Sequence, residues 1–179
     1  MGHGVRLESY RFCPPCGAAL ELKVLKESEP PRLVCTACGF VFYLDPKVAA
    51  CTICVVDGGI VLLKRAIQPQ LGKWVFPGGF VDRGESVPAA AIRETQEEVN
   101  LRVTLTGILD VYSFPGSEVV IVVYAADVVG GRLAACDECL EVRAFPPEEI
   151  PWGELAFEST RAALRDYVRR FFPRVRVPR

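Results

Sequence analysis

Two cysteine pairs near the start of the chain leave its first part few ways to fold. Cys13-x-x-Cys16 and Cys35-x-x-Cys38 stand eighteen residues apart, and a glycine, Gly17 or Gly39, follows each pair. So short a stretch cannot bury much apolar surface, so bound metal supplies the folding energy that a core would otherwise provide. Four thiolates in two such pairs fit a tetrahedral structural zinc site, with the glycines serving tight knuckles. Residues 1–45 therefore read as a zinc ribbon whose charged, proline-containing KESEPPR segment turns between short strands.

The other cysteines build no second metal site. Cys51 and Cys54 lie three apart on a strand pattern, face opposite ways and read as small buried residues. Cys136 and Cys139, on a loop, leave metal binding and oxidation open but offer too few ligands and stay unassigned, and His3, the sole histidine, receives no role. Eight cysteines without a secretory signal point away from a disulfide scaffold. No apolar run approaches the roughly 18 to 20 residues that cross a bilayer, so the expectation is a cytoplasmic protein without a membrane partner. A formal charge of −1 gives the whole chain no basic surplus for nucleic acid. Arg161, Arg165, Arg169, Arg170, Arg174, Arg176 and Arg179 crowd the end; they read as the wet face of a last helix plus a tail, with phosphate contact as the alternative.

Residues 46–179 form the second domain. KVAACTICVV and IVLLKR flank a tight Asp57-Gly58-Gly59 turn and predict a hairpin. KWVFPGGFVD leads to a helix with Ser86 as N-cap, Pro88 in its first turn and a stop near Asn100. LRVTLTGILDVYSF and EVVIVVYAADV are long β-type stretches, and EVRAF is another strand, broken by Pro146 and Pro147. A short helix at PEEIPW and a longer one through FESTRAALRDYVRRFF, apolar at Ala162, Leu164, Val168 and Phe171, complete the chain. Helices must cover sheet faces, so the expected architecture is α/β, a sandwich around a mixed sheet.

The predicted central helix carries an unusual charge pattern. At about 100° per residue, Ile92, Thr95 and Val99 share one face, while Glu94, Glu97 and Glu98 cluster nearly opposite. Their spacing makes them repel by roughly 0.2 to 0.5 kcal/mol per pair. They also stand in the last turns, where the helix dipole disfavours negative charge. Helix stability gives no reason for this arrangement; a hard divalent cation, which takes carboxylate oxygens together with substrate phosphates, does.

The stretch from Gly79 to Leu101, GFVDRGESVPAAAIRETQEEVNL, resembles the Nudix box, G-x5-E-x7-R-E-U-x-E-E-x-G-U with U apolar, at Gly79, Glu85, Arg93, Glu94, Glu97, Glu98 and Leu101. Thr95 stands where the box has an apolar residue and Asn100 where it has its second glycine. The resemblance implies a Nudix-type α/β/α sandwich with Mg²⁺- or Mn²⁺-dependent hydrolysis of a nucleoside diphosphate derivative. Glu94, Glu97 and Glu98, with the Gly79 carbonyl, would hold the metal, Glu85 would brace the loop and Arg93 would orient a glutamate. Such an ion neutralises phosphate charge and acidifies and aligns a water. The base is a glutamate beyond the box in some members, and Glu138 and Glu141 are the candidates, with Glu141 taken as the catalytic one.

Gly78 and Gly79 after Pro77 would let backbone approach a phosphate or metal. Trp74 and Phe76 read as core, whereas Tyr112 and Phe114, before Pro115, are candidate substrate contacts. The order of ribbon, Nudix-like domain and terminal helix is similar to NADH pyrophosphatases and to plant FAD and ADP-ribose pyrophosphatases. Only FPGS, Phe114 to Ser117, matches the motif that NADH pyrophosphatases carry after the box. The expected substrate is therefore a small nucleotide, ADP-ribose, FAD or NADH, releasing AMP. Two alternatives stand beside it: removal of an RNA 5′ cap, and a nucleic-acid-binding regulator that reads RNA or DNA with the ribbon. In the ribbon Arg11, Lys23, Lys26 and Arg32 are balanced by Glu21, Glu27, Glu29 and Asp45, which argues against the regulator. The sequence leaves the oligomeric state open, a homodimer included.

Overall fold

The computed structural model describes residues 9–136 and 138–178, so His3 lies outside the described residues. The chain divides into two compact units, Met1–Pro46 and Lys47–Arg179. No helix among the described residues is long and apolar enough to cross a membrane.

The first unit is a three-stranded antiparallel sheet in the order β1 (Leu20–Lys23), β2 (Arg32–Cys35) and β3 (Val41–Phe42). Few of its apolar side chains are buried, chiefly Leu33 and Val34 beside Cys13 and Cys35, while Phe12, Val24 and Tyr43 stay exposed. Each cysteine knuckle closes through a backbone bond, Gly17 N to Cys13 O at 2.8 Å and Gly39 N to Cys35 O at 3.2 Å. Both glycines hold φ near +74°, a conformation that costs other residues strain.

The second unit is built on β4 (Lys47–Val56). β4 runs parallel to β9 (Val119–Gly131) and antiparallel to β5 (Gly59–Arg65), to which Asp57 and Gly58 connect it with φ of 50° and 81°. Positive φ at both central residues is what a tight hairpin turn of matching twist requires. The strand order is β10-β5-β4-β9-β8, with β8 spanning Leu101–Tyr112 and β10 spanning Cys139–Phe145. Short strands β6 (Trp74–Val75) and β7 (Gly78–Phe80) pair with β5 and β4.

Two helices, α1 (Val87–Val99) and α2 (Glu158–Phe171), cover the opposite faces of this mixed sheet. Alternation along β4 shows how. Cys51 and Ile53 enter the core with Ala163, Leu164, Tyr167 and Val168 of α2, whereas Ala50 meets Ala90 and Ala91 of α1. Ser86 caps α1 by accepting from Ala89 N at 3.3 Å, and Asn100 ends it in the left-handed conformation, φ 57°.

Two expectations need correction. PEEIPW is two 3-10 turns, Pro147–Glu149 and Trp152–Glu154, because Pro151 interrupts any longer helix. The buried face of α2 runs through Ala163 and Tyr167 as well as Leu164 and Val168, leaving Phe171 45% exposed and Ala162 only partly covered. On α1, Ile92 is 39% exposed; small Ala90 and Ala91 take the contact with β4 and let the helix lie close to it.

Thr95, a departure from the box, is fully buried opposite Thr52 of β4. Its hydroxyl donates to Ala91 O at 2.7 Å and lies 2.7 Å from Thr52 Oγ1. A hydroxyl has one proton, so Thr52 must donate to Thr95. Thr95→Val is therefore expected to leave the Thr52 hydroxyl buried and unpaired, costing about 1 to 3 kcal/mol. The Thr52→Val/Thr95→Val pair is expected to recover most of that loss, and denaturant midpoints of the single and double variants check it.

Candidate active site

The acidic half of α1 stands against β7, and the contact is made by residues that have no side chain there. Gly78 N donates to Glu98 Oε2 at 2.8 Å. A Cβ on Gly79 would lie 2.5 Å from the Glu94 carboxylate, and one on Gly78 would overlap Cys51 Sγ. Gly78 also holds φ at 153°. Gly78 therefore requires glycine for closeness to β4 and for conformation, whereas a side chain at Gly79 would displace the Glu94 carboxylate. The structure thus brings together Gly78 with Glu98 and Gly79 with Glu94, pairs that lie twenty and fifteen residues apart in the sequence.

Arg93 organises the rest. Its Nε and Nη2 donate to the two oxygens of Glu85, each at 2.9 Å. Nη1 donates to Glu94 Oε1 at 2.8 Å and Glu97 Oε2 at 2.9 Å, and Nη2 also reaches Phe80 O at 3.2 Å. All five guanidinium protons are thereby used, in the planar fork that a lysine cannot reproduce. Charge-assisted bonds from Arg93 hold the Glu85 carboxyl below its ordinary value, and the carboxylates raise the Arg93 guanidinium in turn.

One arginine does not balance four carboxylates. Burial, and after it the charges of Glu94 and Glu138, pushes the Glu98 carboxyl up to about 7, despite the bond from Gly78 N. Glu94 is raised too, by burial first and then by Glu97 and Glu138, against the pull of Arg93. Surplus negative charge beside exposed backbone suits a divalent cation, whose arrival would relieve the penalty. The carboxylates are held by protein donors in the meantime. Among the described residues only the cysteine cluster brings three or more ligand atoms into a ready-made metal geometry.

That cluster is Cys13, Cys16, Cys35 and Cys38, whose sulfurs all lie within 4.8 Å of one another. Separations of 3.4, 3.5 and 3.7 Å for Cys16–Cys35, Cys16–Cys38 and Cys13–Cys38 approach the edge of about 3.8 Å that a tetrahedron with metal–sulfur bonds of about 2.3 Å would have. The bond from Cys38 N to Cys35 Sγ, 3.4 Å, is the main cause holding the Cys35 thiol down at about 6, favouring the thiolate that a metal needs.

The remaining candidates are more scattered. Glu141, on β10, accepts from Arg143 Nη2 at 2.5 Å. The charge of Glu138 bears on both Glu94 and Glu98. Tyr112 is buried in the α2-side core, where its hydroxyl donates to Asp166 Oδ2 at 2.9 Å. Phe114 lies 38% exposed beyond the end of β8, and Trp74 and Phe76 are buried. Arg65, for which the sequence carried no signal, lies 5.2 Å from the Phe157 ring and its charge lowers the Glu98 carboxyl.

Comparison with known proteins supports the sequence resemblance. The profile described as NUDIX domain matches residues 45–171, and a zinc-ribbon profile described as Nudix N-terminal matches residues 11–44. An ADP-ribose pyrophosphatase of Methanocaldococcus jannaschii is 38% identical over 131 residues, 71% of this chain and 76% of that protein. The NAD-capped RNA hydrolase NudC of Stutzerimonas stutzeri is 26% identical over 150 residues, 83% of this chain but 52% of that protein, so the chain spans about half the length of that relative. The crystal structure of a NUDIX hydrolase from Nitrosomonas europaea superposes with a TM-score of 0.86 at 33% identity, covering 95% of this chain and 97% of that one.

The raised Glu98 carboxyl has a measurable consequence. Ionising it in the folded protein is penalised, so its contribution to stability is complete below about 4.5 and is lost as the pH rises through about 7. Without magnesium or manganese in the buffer, the melting temperature of the wild type is expected to fall over that window relative to Glu98→Gln. Parallel melting-temperature curves for the two proteins would show that Glu98 titrates normally.

Proposed function

The chain belongs to the Nudix family of hydrolases, and on that footing we propose that it hydrolyses the pyrophosphate bond of a nucleoside diphosphate derivative, ADP-ribose before FAD or NADH, releasing AMP. One observation carries the reading: the Glu98 and Glu94 carboxylates of α1 stand against side-chain-free backbone at Gly78 and Gly79, and Glu97 joins them through the guanidinium it shares with Glu94. Such a surface repels a phosphoanhydride unless cations stand between. The preference for ADP-ribose rests on the archaeal relative bearing that activity in its name, which this chain matches over most of both lengths.

Glu94, Glu97 and Glu98 would hold Mg²⁺ or Mn²⁺, with the Gly79 carbonyl as a further oxygen. The bound ion would supply charge neutralisation at the bridging phosphates and a more acidic water. The chain's own residues do the rest. Arg93 keeps Glu94 and Glu97 in register while Glu85 fixes Arg93, so the ligand oxygens are presented on a rigid helix. Gly78 N holds Glu98 facing β7. Glu138 is the better-placed base, since its charge reaches Glu94 and Glu98 whereas Glu141 is engaged by Arg143. Phe114 offers a ring for a nucleobase, and Tyr112 braces β8 against α2. Zn²⁺ would occupy the four thiolates in a purely structural role.

A second reading has a specific observation behind it: several relatives are named NAD-capped RNA hydrolases, so a dinucleotide at the 5′ end of RNA is a substrate to be tested beside the free ones.

Incubation with Mg²⁺ and, in turn, ADP-ribose, NADH, NAD, FAD, diadenosine polyphosphates and NAD-capped RNA, with products identified by mass, is expected to give AMP from ADP-ribose at the highest kcat/KM. Glu98→Gln is expected to lose most of the turnover, and Glu138→Gln about a hundredfold or more of kcat, with Glu141→Gln near wild type. Full turnover in Glu98→Gln would end the metal reading. For the ribbon, metal analysis is expected to find one zinc per chain, and its removal to unfold the first unit while the second keeps its helical signal.

A further inference from the structure

We propose that Cys136 and Cys139 form a reversible disulfide that loosens the loop bearing Glu138 from the C-terminal end of α1. The idea rests on the pyrophosphatase reading only for its effect on turnover; the bond itself follows from geometry.

The two thiols converge on one acceptor. Cys136 Sγ donates to Glu98 O at 3.0 Å and Cys139 Sγ to the same oxygen at 3.5 Å. Glu98 O is one of the last four carbonyls of α1, which have no partner within the helix. Cys139 N donates to Cys136 O at 3.0 Å, the closing bond of a four-residue turn. Such a turn keeps its end Cα atoms within about 7 Å, and a disulfide needs about 4.4 to 6.8 Å. Closing the bond therefore asks for rotation of two side chains and little backbone movement.

Access separates this pair from Cys51 and Cys54, and freedom from the metal set separates it from the ribbon cysteines. Cys51 and Cys54 are buried, and the ribbon cysteines are gathered as a metal set, whereas Cys136 and Cys139 are both partly exposed. A low-molecular-weight disulfide is a sufficient oxidant. One cysteine sulfur attacks it and displaces a thiol, and the second cysteine then attacks the mixed disulfide and displaces the other. Two Cys S–H and one RSSR become one Cys–Cys bond and two RSH; the protein gives up two electrons and the external disulfide takes them.

The consequence lies at the helix end. Among the described residues, four contacts hold this loop to the end of α1: the two thiols on Glu98 O, Ala134 N on Val99 O at 3.2 Å, and Asn100 Nδ2 on Arg132 O at 2.9 Å. Oxidation deletes both S–H donors at once. Glu138 stands between the two cysteines in sequence, and its charge bears on Glu94 and Glu98. Releasing the loop moves that carboxylate away from the candidate metal site and slows hydrolysis.

The test uses the full chain with its metal, equilibrated across ratios of oxidised to reduced glutathione. Peptide mapping is expected to find a Cys136–Cys139 linkage lighter by two hydrogens, and exchange of the Ala134 amide proton to quicken on oxidation. Turnover of ADP-ribose is expected to fall about tenfold or more, to return with dithiothreitol, and to be indifferent to the ratio in Cys139→Ser apart from any response of the ribbon. No linkage, or a linkage with unchanged Ala134 exchange, overturns the proposal. A linkage with quickened exchange but undiminished turnover overturns its functional half. A reduced protein that hydrolyses no dinucleotide removes the pyrophosphatase reading instead, and the linkage and exchange still decide the disulfide.

Discussion

Crowding of like charge on the last turns of one helix is the constraint to which the second unit answers. Glu94, Glu97 and Glu98 repel one another and oppose the helix dipole, so α1 needs help from outside its own backbone. Arg93 provides part of it, its five protons spread over Glu85, Glu94, Glu97 and a β7 carbonyl. Burial of Ala90, Ala91, Thr95 and Val99 against the sheet provides the rest. The helix is thus anchored on its apolar side and strained on its acidic side, and the strain is greatest at Glu98, whose carboxyl burial pushes up to about 7. A site prepared in this way binds a cation by removing a penalty already present in the fold.

Positioning follows from the same arrangement. β7 lies so close to both β4 and α1 that a Cβ on Gly78 would overlap Cys51 and one on Gly79 would meet the Glu94 carboxylate, and the arrangement follows from the pairing of β7 with β4, the strand on which α1 lies. The sheet that buries the helix therefore also delivers the backbone that faces its carboxylates. α2 closes the opposite face, and Tyr112 joins β8 to it through Asp166.

Much of this was legible in the sequence because it is local. Ser86, Pro88 and Asn100 fix the ends of α1 by short-range capping, and Asp57-Gly58 writes the hairpin turn. The four cysteines announce their cluster by spacing alone. What the sequence did not disclose depends on contacts between distant segments. Ile92 has helical periodicity for the core but is exposed because two alanines bring the sheet to the other side of it. Tyr112 has the position of a strand-end substrate contact, yet Asp166, 54 residues later, takes its hydroxyl. Arg65 bears on Glu98 only because β5 lies next to β4 in the sheet.

The two departures from the box show how such distant contacts can replace a local rule. At Thr95 the hydroxyl that an apolar residue would not carry is satisfied by the Ala91 carbonyl and by Thr52 on β4, so the helix gains a hydrogen-bonded contact with the sheet. At Asn100 the left-handed turn that glycine would adopt freely costs an asparagine little. The side chain that glycine lacks then reaches Arg132 O at 2.9 Å. That bond lies beside Ala134 N on Val99 O and the two thiols on Glu98 O, so a residue that departs from the pattern fastens the end of α1 to the loop that continues to Glu138. Both substitutions keep the helix where its carboxylates are needed, each by a partner supplied from outside the box, and the Asn100 contact makes the stretch from Arg132 to Cys139 part of the same assembly as α1.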